Sequence, residues 1–306
     1  VISPRRLAQR SALLAAVRSF FRDRGYLEAD TPIRLPVLLP EAHIKPFSAE
    51  GWYLHTSPEP CMKRLLARGN TKLFQICHCF RKEEEGRHHQ TEFSLLEWYR
   101  TGWSYGELME ECEEFIRWLV RAVPALDGVA GPDVLRRQGR AVSLESPWER
   151  LTVEEAFLKY AGMPAREALR RDMFDELLVT RVEPRLGWRR PVFLYDYPAE
   201  LASLARKKEG DPTVAERFEL YIAGIELVNG FSELTDPDEQ RRRFALELDK
   251  SAATGSSYRE MPEAFLADLG CLPETAGAAL GFDRLCMILM GCPTVADAMC
   301  LLPDPA

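Results

Sequence analysis

No apolar run in this 306-residue chain approaches the roughly 18–20 residues that a membrane-spanning helix needs, so a helical membrane protein is excluded. No CxxC pair occurs among the eight cysteines (Cys61, Cys77, Cys79, Cys112, Cys271, Cys286, Cys292 and Cys300). That scatter argues against a zinc ribbon or a disulfide framework and for reduced, mostly buried thiols. The chain opens at Val1 with no signal-peptide pattern, which reads as cytoplasmic. Internal repeats and low-complexity segments are absent. Positive charge is short: 40 Lys and Arg against 47 Asp and Glu give a net charge of −7. A protein that lives on nucleic acid carries a basic excess or a dense basic stripe, so extensive RNA contact is not expected. The densest basic run, residues 241–243, follows Asp236, Asp238 and Glu239 and reads as a solvated helix face.

What is present is a mixed pattern of helices and hairpin-linked strands. Leu7, Leu14, Val17, Phe20 and Phe21 predict a helix over residues 7–24, ended by Gly25. An extended segment to Pro32 follows, then a strand and turn at 44–54 and a helix at 59–68. Leu108, Met109, Cys112, Phe115, Ile116 and Leu119 share one face of a helix over 104–122. Residues 123–150, rich in Gly, Pro and Arg, read as a loop or small insertion within a single domain spanning 1–306. Thr152 and Glu155 offer a capping box for a helix at 153–161. Strands are expected at 191–197, 218–222 and 226–231, with a hairpin turn at Ala223-Gly224. Asp236-Pro237 opens a helix to about Lys250, and 250–259 reads as small, polar and mobile. The fold class this predicts is α+β, an antiparallel sheet flanked by helices.

Three blocks carry chemistry. Residues 80–100, FRKEEEGRHHQTEFSLLEWYR, place an arginine and three glutamates at the mouth of a charged loop between two strands. Guanidinium grips phosphate with a fork of donors, and carboxylates suit an amine or a metal ion. Residues 217–234, RFELYIAGIELVNGFSEL, set Glu219, Glu226 and Glu233 along successive strands, with Asn229 and Gly230 between the last two. In a hairpin turning at Ala223-Gly224, Glu219 and Glu226 face each other, an arrangement that favours a divalent cation such as magnesium. Residues 277–285, GAALGFDRL, offer small residues for close backbone approach and Arg284 at the start of a helix. His88 and His89 sit at a loop tip, where solvent or an acceptor is the expected neighbour. His78 alternates away from Cys77 and Cys79, which argues against a shared metal site.

Taken in order, these blocks resemble the signature motifs of class II aminoacyl-tRNA synthetases. Phe80-Arg81-Lys82-Glu83 with Glu92-Phe93 is similar to motif 2, Gly281-Phe282-Asp283-Arg284 to motif 3, and residues 18–32 to motif 1, the dimer interface of that class. Thr56-Ser57-Pro58-Glu59, Leu96-Glu97-Trp98-Tyr99 and Asn229-Gly230-Phe231-Ser232-Glu233-Leu234 resemble the pocket strings of its lysyl branch. The chain starts just before motif 1, without the anticodon-binding barrel of lysyl-tRNA synthetases. A stand-alone lysyl-type core of this size resembles the ligases that attach (R)-β-lysine to a lysine of elongation factor P.

The resemblance implies an ATP-dependent, AMP-forming ligase that uses Mg2+, works as a homodimer and has elongation factor P, not tRNA, as its partner. It implies that Arg81 and Arg284 are catalytic, on the α- and γ-phosphates of ATP. Lys82, Glu83 and Gln90 in the motif 2 loop, with Glu226, Leu227 and Gly281, complete the ATP site. Glu219 and Glu226 become the metal ligands. Ser57, Pro58, Glu59, Asn229 and Ala279 line the amino-acid site, where Tyr99 and Glu233 take the distal ammonium. Lys82 and Gln90 stand where asparagine is expected, and Ala279 where lysyl-tRNA synthetases have glycine. A single methyl there favours β-lysine by only ~1–3 kcal/mol. Two alternatives stay open on sequence alone: a lysyl-tRNA synthetase-like core acting on α-lysine, and a non-catalytic paralogue that senses amino acids.

Overall fold

Alternation along six strands separates an oily face from a polar one, and that division positions everything else. The computed structural model describes residues 2–253, 258 and 260–302. Its main sheet contains β1 (Leu27–Glu28), β2 (Lys72–Phe80), β3 (Glu92–Thr101), β4 (Glu149–Thr152), β5 (Val192–Pro198), β6 (Asp211–Ile222), β7 (Ile225–Ser232) and β8 (Thr275–Gly281). Their order is β1-β2-β3-β8-β7-β6-β5-β4, with the short strand Lys207–Lys208 added to β6. The inner pairs are antiparallel, whereas β1–β2 and β4–β5 at the two ends are parallel. The sheet is therefore mixed, with the expected antiparallel centre.

Leu96 and Trp98 of β3, Phe218 and Leu220 of β6, Val228 of β7 and Ala276, Ala278 and Leu280 of β8 face one way, into the main core. Three helices cover that face: α1 (Pro4–Asp23), α3 (Tyr105–Ala122) and α6 (Phe282–Leu289). α1 contributes Leu13, Val17, Phe20 and Phe21, so its buried stripe is shifted from the predicted one and Leu7 is exposed. Phe20 meets Phe115 at 4.9 Å and Phe21 stacks on Phe74 at 5.1 Å. Burying each such ring is worth about 1.5–3 kcal/mol. α3 buries the predicted face and starts with a Ser104–Glu107 capping box. Helices α2 (Glu59–Leu66), α4 (Pro237–Ala253) and α5 (Glu263–Leu269) pack on the opposite face through Met62, Leu66, Phe244 and Leu266.

Several expectations hold locally for the expected reasons. Ala223 and Gly224 both take positive φ, 51° and 75°, as a tight hairpin requires. Thr152 and Glu155 form their capping box, and Asp236 accepts from the backbone N–H groups of Asp238 and Glu239. Others are corrected. Residues 123–150, expected as a loop or small insertion, hold a three-stranded antiparallel meander of Val129–Gly131, Val134–Arg137 and Arg140–Ser143. Its hairpin turns on Gln138 and Gly139 at φ 49° and 77°. Strands of three or four residues are too short to show a period of two, and arginines on their outer face mask the pattern. Helix α4 runs to Ala253, while most of the segment expected to be mobile (254–257 and 259) lies outside the described residues. Glu219 does not sit directly opposite Glu226. A bulge at Leu220/Tyr221 shifts the register, pairing Glu219 with Asn229 and Tyr221 with Glu226. No helix among the described residues is long and apolar enough to cross a membrane.

Candidate active site

The second sheet face carries polar residues in two rows. Cross-strand pairing aligns Glu97, Ala279, Asn229 and Glu219 in one row, and Tyr99, Gly277, Phe231 and Arg217 in the next. Small residues on β8 keep the middle of both rows low. An added Cβ on Gly277 would come 2.3 Å from the Tyr99 ring and 2.6 Å from Glu233 Oε1. Glycine here makes room for pocket side chains, not for a ligand directly. Gly277→Ala is expected to cost about 1–3 kcal/mol by overpacking. A denaturant melt would read this, and unchanged stability would mean that the Tyr99 ring simply steps aside.

Two cavities open on this face and share Arg81 and Asn229 as walls. The first is lined by Arg81, Gln90, Glu226, Leu227, Asn229, Ala279, Gly281 and Arg284 among others. Arg81 Nε donates to the carbonyl of Thr56 at 3.3 Å, and its guanidinium lies over the Phe93 ring. Arg284 is held from three sides: Nη1 donates to Glu226 O at 3.0 Å and Oε2 at 3.2 Å, Nε donates to His88 O at 3.1 Å, and Nη2 meets His89 Nε2. Its neighbour Asp283 turns inward, accepting from the Ser94 N–H at 2.6 Å and pairing with Arg10 at 2.7 Å. One residue of this motif thus anchors the helix while the next faces the cleft.

The motif 2 loop departs from expectation at two positions. Lys82 extends over the Phe47 ring, and Glu83, at φ 65°, turns out to pair with Lys45 at 2.5 Å. Neither lines the cleft; Glu84 does, 3.7 Å from Arg81. His88 and His89 are not at a solvated tip but in the cleft wall. Burial, then the charges of Arg137, Arg284 and Arg87, push His88 down to about 4, and burial with Arg284 lowers His89. Both are therefore neutral at pH 7, which leaves His89 able to accept from Arg284.

Glu219 and Glu226 supply hard oxygen donors. Glu219 is buried and its pKa is raised, first by burial and then by the negative charge of Glu226. Tyr197 and Tyr221 donate to its Oε2 at 2.5 and 2.6 Å, and Arg217 to its Oε1 at 2.6 Å. Glu219, raised in part by the charge of Glu226, and Glu226 itself are both oxygen donors and fit a divalent ion such as Mg2+.

Behind the first cavity lies a deeper nest of charge. Ser57 donates to Glu97 Oε1 at 2.5 Å and Tyr99 to Oε2 at 2.7 Å. Lys63, 2% exposed, reaches back from α2 between Glu59 and Glu233, 2.5 Å from the latter. Burial would neutralise Lys63, but Glu233 and Glu59 outweigh it and raise its pKa. Burial lifts Glu97 and Glu233 each to about 8. Lys63 takes Glu233 Oε2, and Glu233 Oε1 has no hydrogen-bonding partner among the described residues. Pro58 starts α2 and so aims Glu59 inward. Lys63 and Glu41 (lifted to about 7 by burial beside Arg81) are site residues that motif reading did not single out, and Glu97 entered it only as part of the string Leu96-Glu97-Trp98-Tyr99. The Glu59–Lys63 spacing of four had the form of an ordinary surface helix pair.

The family model for tRNA synthetases class II (D, K and N) matches residues 3–303. Proteins named elongation factor P--(R)-beta-lysine ligase from Salmonella dublin, Salmonella paratyphi B and Salmonella heidelberg are each 38% identical over 311 residues, covering 98% of this chain and 95% of theirs. The chain belongs to the class II tRNA synthetase family, and within it to the group of elongation factor P–(R)-β-lysine ligases.

Proposed function

We propose that this protein activates (R)-β-lysine with ATP and transfers it to a lysine side chain of elongation factor P. The observation that carries the substrate class is the charge of the inner nest. Glu59, Glu97 and Glu233 are three carboxylates against the single ammonium of Lys63, and Glu233 Oε1 is an acceptor that no described residue uses. An amino acid with two ammonium groups supplies the two missing positive charges; one with a single ammonium does not. Ala279, beside Glu97 and Asn229 in the same row, narrows the site near the reacting carboxylate, which supports the β-isomer. The names of the relatives point to the same substrate and acceptor.

The chemistry asks the protein for position and charge. The substrate carboxylate, ionised at neutral pH, attacks the α-phosphorus of ATP; a carboxyl–phosphate bond forms and pyrophosphate leaves. Arg81 and Arg284, fixed beforehand by Thr56, Glu226 and His88, neutralise the charge that builds on phosphate oxygens. Glu219 and Glu226 would hold magnesium, which adds further neutralisation of the phosphates when bound. The acceptor lysine then attacks the acyl carbon and AMP leaves. The net charge of −7 supports a protein acceptor over tRNA. Leu27 and Ile33, 62% and 44% exposed beside the β1 edge, support a homodimer through that edge.

ATP–pyrophosphate exchange with (R)-β-lysine, α-lysine and aspartate tests the reading, followed by transfer to elongation factor P or tRNA. No exchange with any of the three sinks the enzyme reading. Exchange followed by transfer to tRNA alone sinks the protein acceptor.

The raised carboxylates add a pH prediction. Glu97 and Glu233 titrate near 8 in the folded chain against 4.5 for a free carboxyl. The folded state therefore holds protons that the unfolded chain has lost. Their contribution to stability is full below about pH 4.5 and is lost as pH rises through about 8. A diammonium ligand needs both groups ionised, so its binding releases protons at pH 7 and tightens from pH 6 to 8. Titration calorimetry in two buffers of different ionisation enthalpy reads the release. Equal heats in both buffers would contradict it.

A further inference from the structure

Outside the cleft, the described residues bring together one group of three metal-ligating side chains, and it has no part in the chemistry above. Cys77 and Cys79 point the same way from β2, their sulfurs 3.9 Å apart. The third member is not His78, which stands on the exposed side against Glu92, but His55 from the preceding segment. His55 Nε2 lies 3.9 Å from Cys79 Sγ, and the three donor atoms are all within 4.8 Å of one another. His55 and Cys79 are completely buried and Cys77 half-buried. The backbone fixes the approach: the His55 N–H donates to Ile33 O at 2.8 Å and Phe80 N–H donates to His55 O at 3.0 Å.

From this geometry we propose a site for a thiophilic divalent ion, Zn2+, bound by His55, Cys77 and Cys79 on the back of the amino-acid pocket. A tetrahedral ion with bonds of ~2.3 Å to sulfur separates its ligand atoms by about 3.8 Å. The Cys77–Cys79 and Cys79–His55 separations of 3.9 Å match that edge. A second observation concerns His55 itself: Nε2 donates to the His78 carbonyl at 2.6 Å, while the buried Nδ1 has no partner among the described residues. Binding an ion through Nε2 therefore replaces the hydrogen bond to the His78 carbonyl and moves the imidazole proton to Nδ1, the nitrogen that no described residue engages. Binding balances as two thiol protons released, two metal–sulfur bonds formed, and the imidazole proton moved from Nε2 to Nδ1. The product, a dication with two thiolates, is neutral and suits a buried place.

A disulfide fits the same pair less well. Successive same-face residues of a strand are ~6.6 Å apart at Cα, the far end of the disulfide range, and their Cβ atoms run side by side. The ion would tie the segment ending in Thr56 and Ser57 to β2. Thr56 O receives Arg81 and Ser57 Oγ holds Glu97, so the site braces two elements of the pocket from behind. It does not depend on which amino acid the pocket takes.

The test is a Co2+ titration of the full-length, fully reduced protein, followed by Zn2+ displacement. Expected are one equivalent bound with thiolate-to-metal charge-transfer absorption, about two protons released per ion, and loss of the band on adding Zn2+. Cys77→Ser, at the half-buried position, should weaken binding at least about 100-fold, and C77S/C79S should abolish it. A C61S/C271S/C300S protein should bind as the parent does. No charge-transfer band, or a band that survives in C77S/C79S, overturns the site. So does a pair that closes to a disulfide in air while the reduced form takes up no cobalt.

Discussion

Arg284→Ala is expected to reduce ATP–pyrophosphate exchange by about 100- to 1000-fold, the usual cost of removing a preorganised charge from a site of developing phosphate charge. The argument rests on how the guanidinium is held. Its bonds to Glu226, His88 and His89 join the second strand of the β6–β7 hairpin to the motif 2 loop, so it arrives already oriented, without reorganisation during the reaction. The fold should survive. Arg284 lies on the first turn of α6, but the tie between that helix, α1 and β3 belongs to Asp283, through Arg10 and Ser94. The predicted pattern is a lost rate with a melting temperature close to the parent's. Asp283→Ala should do the reverse in part, since it strands a buried Arg10 and costs stability first. Exchange that is unchanged in Arg284→Ala would mean that motif 3 has been misassigned.

The parts of this site that sequence made legible are those where chemistry and local geometry coincide. Arg81, Gln90, Asn229, Ala279, Gly281 and Arg284 lie in short strings whose strand or helix start fixes their direction, and they meet on one cavity. Glu83 failed because a positive φ of 65° breaks the loop's alternation and hands the inward place to Glu84. The Glu219–Glu226 pairing failed for a similar reason, a bulge that adds one residue to the register. Lys63 was illegible because nothing in a helix's own pattern says that its charged side will be driven inward. That is decided by Glu233, which is 170 residues away (233 against 63) and is delivered only by the sheet order. His55 escaped in the same way: its partners come from β2, and only the folded crossing of residues 33–57 brings the ring beneath the sulfurs.

The charge count of the inner nest makes its own demand on mutation. Glu233→Gln should raise the KM for the diammonium substrate about 100- to 1000-fold, with a smaller effect on kcat. Glutamine keeps the shape, and Lys63 keeps Glu59 as a partner, so the fold loses little. What disappears is one of the two unmatched negative charges, carried by a carboxylate whose Oε1 no described residue donates to. One substrate ammonium is then buried without a counter-charge, and removing one partner of a buried charge pair costs about 2–5 kcal/mol. The loss falls on KM because Glu233 lies in the inner nest against Lys63 and does not line the cavity that holds Arg81 and Arg284. The proton count should change too. With one high-pKa carboxyl gone, substrate binding at pH 7 should release fewer protons than in the parent, Glu97 alone remaining near 8. A parental KM together with undiminished proton release would place the ammonium elsewhere, and Glu97 with Glu59 would then have to carry both charges.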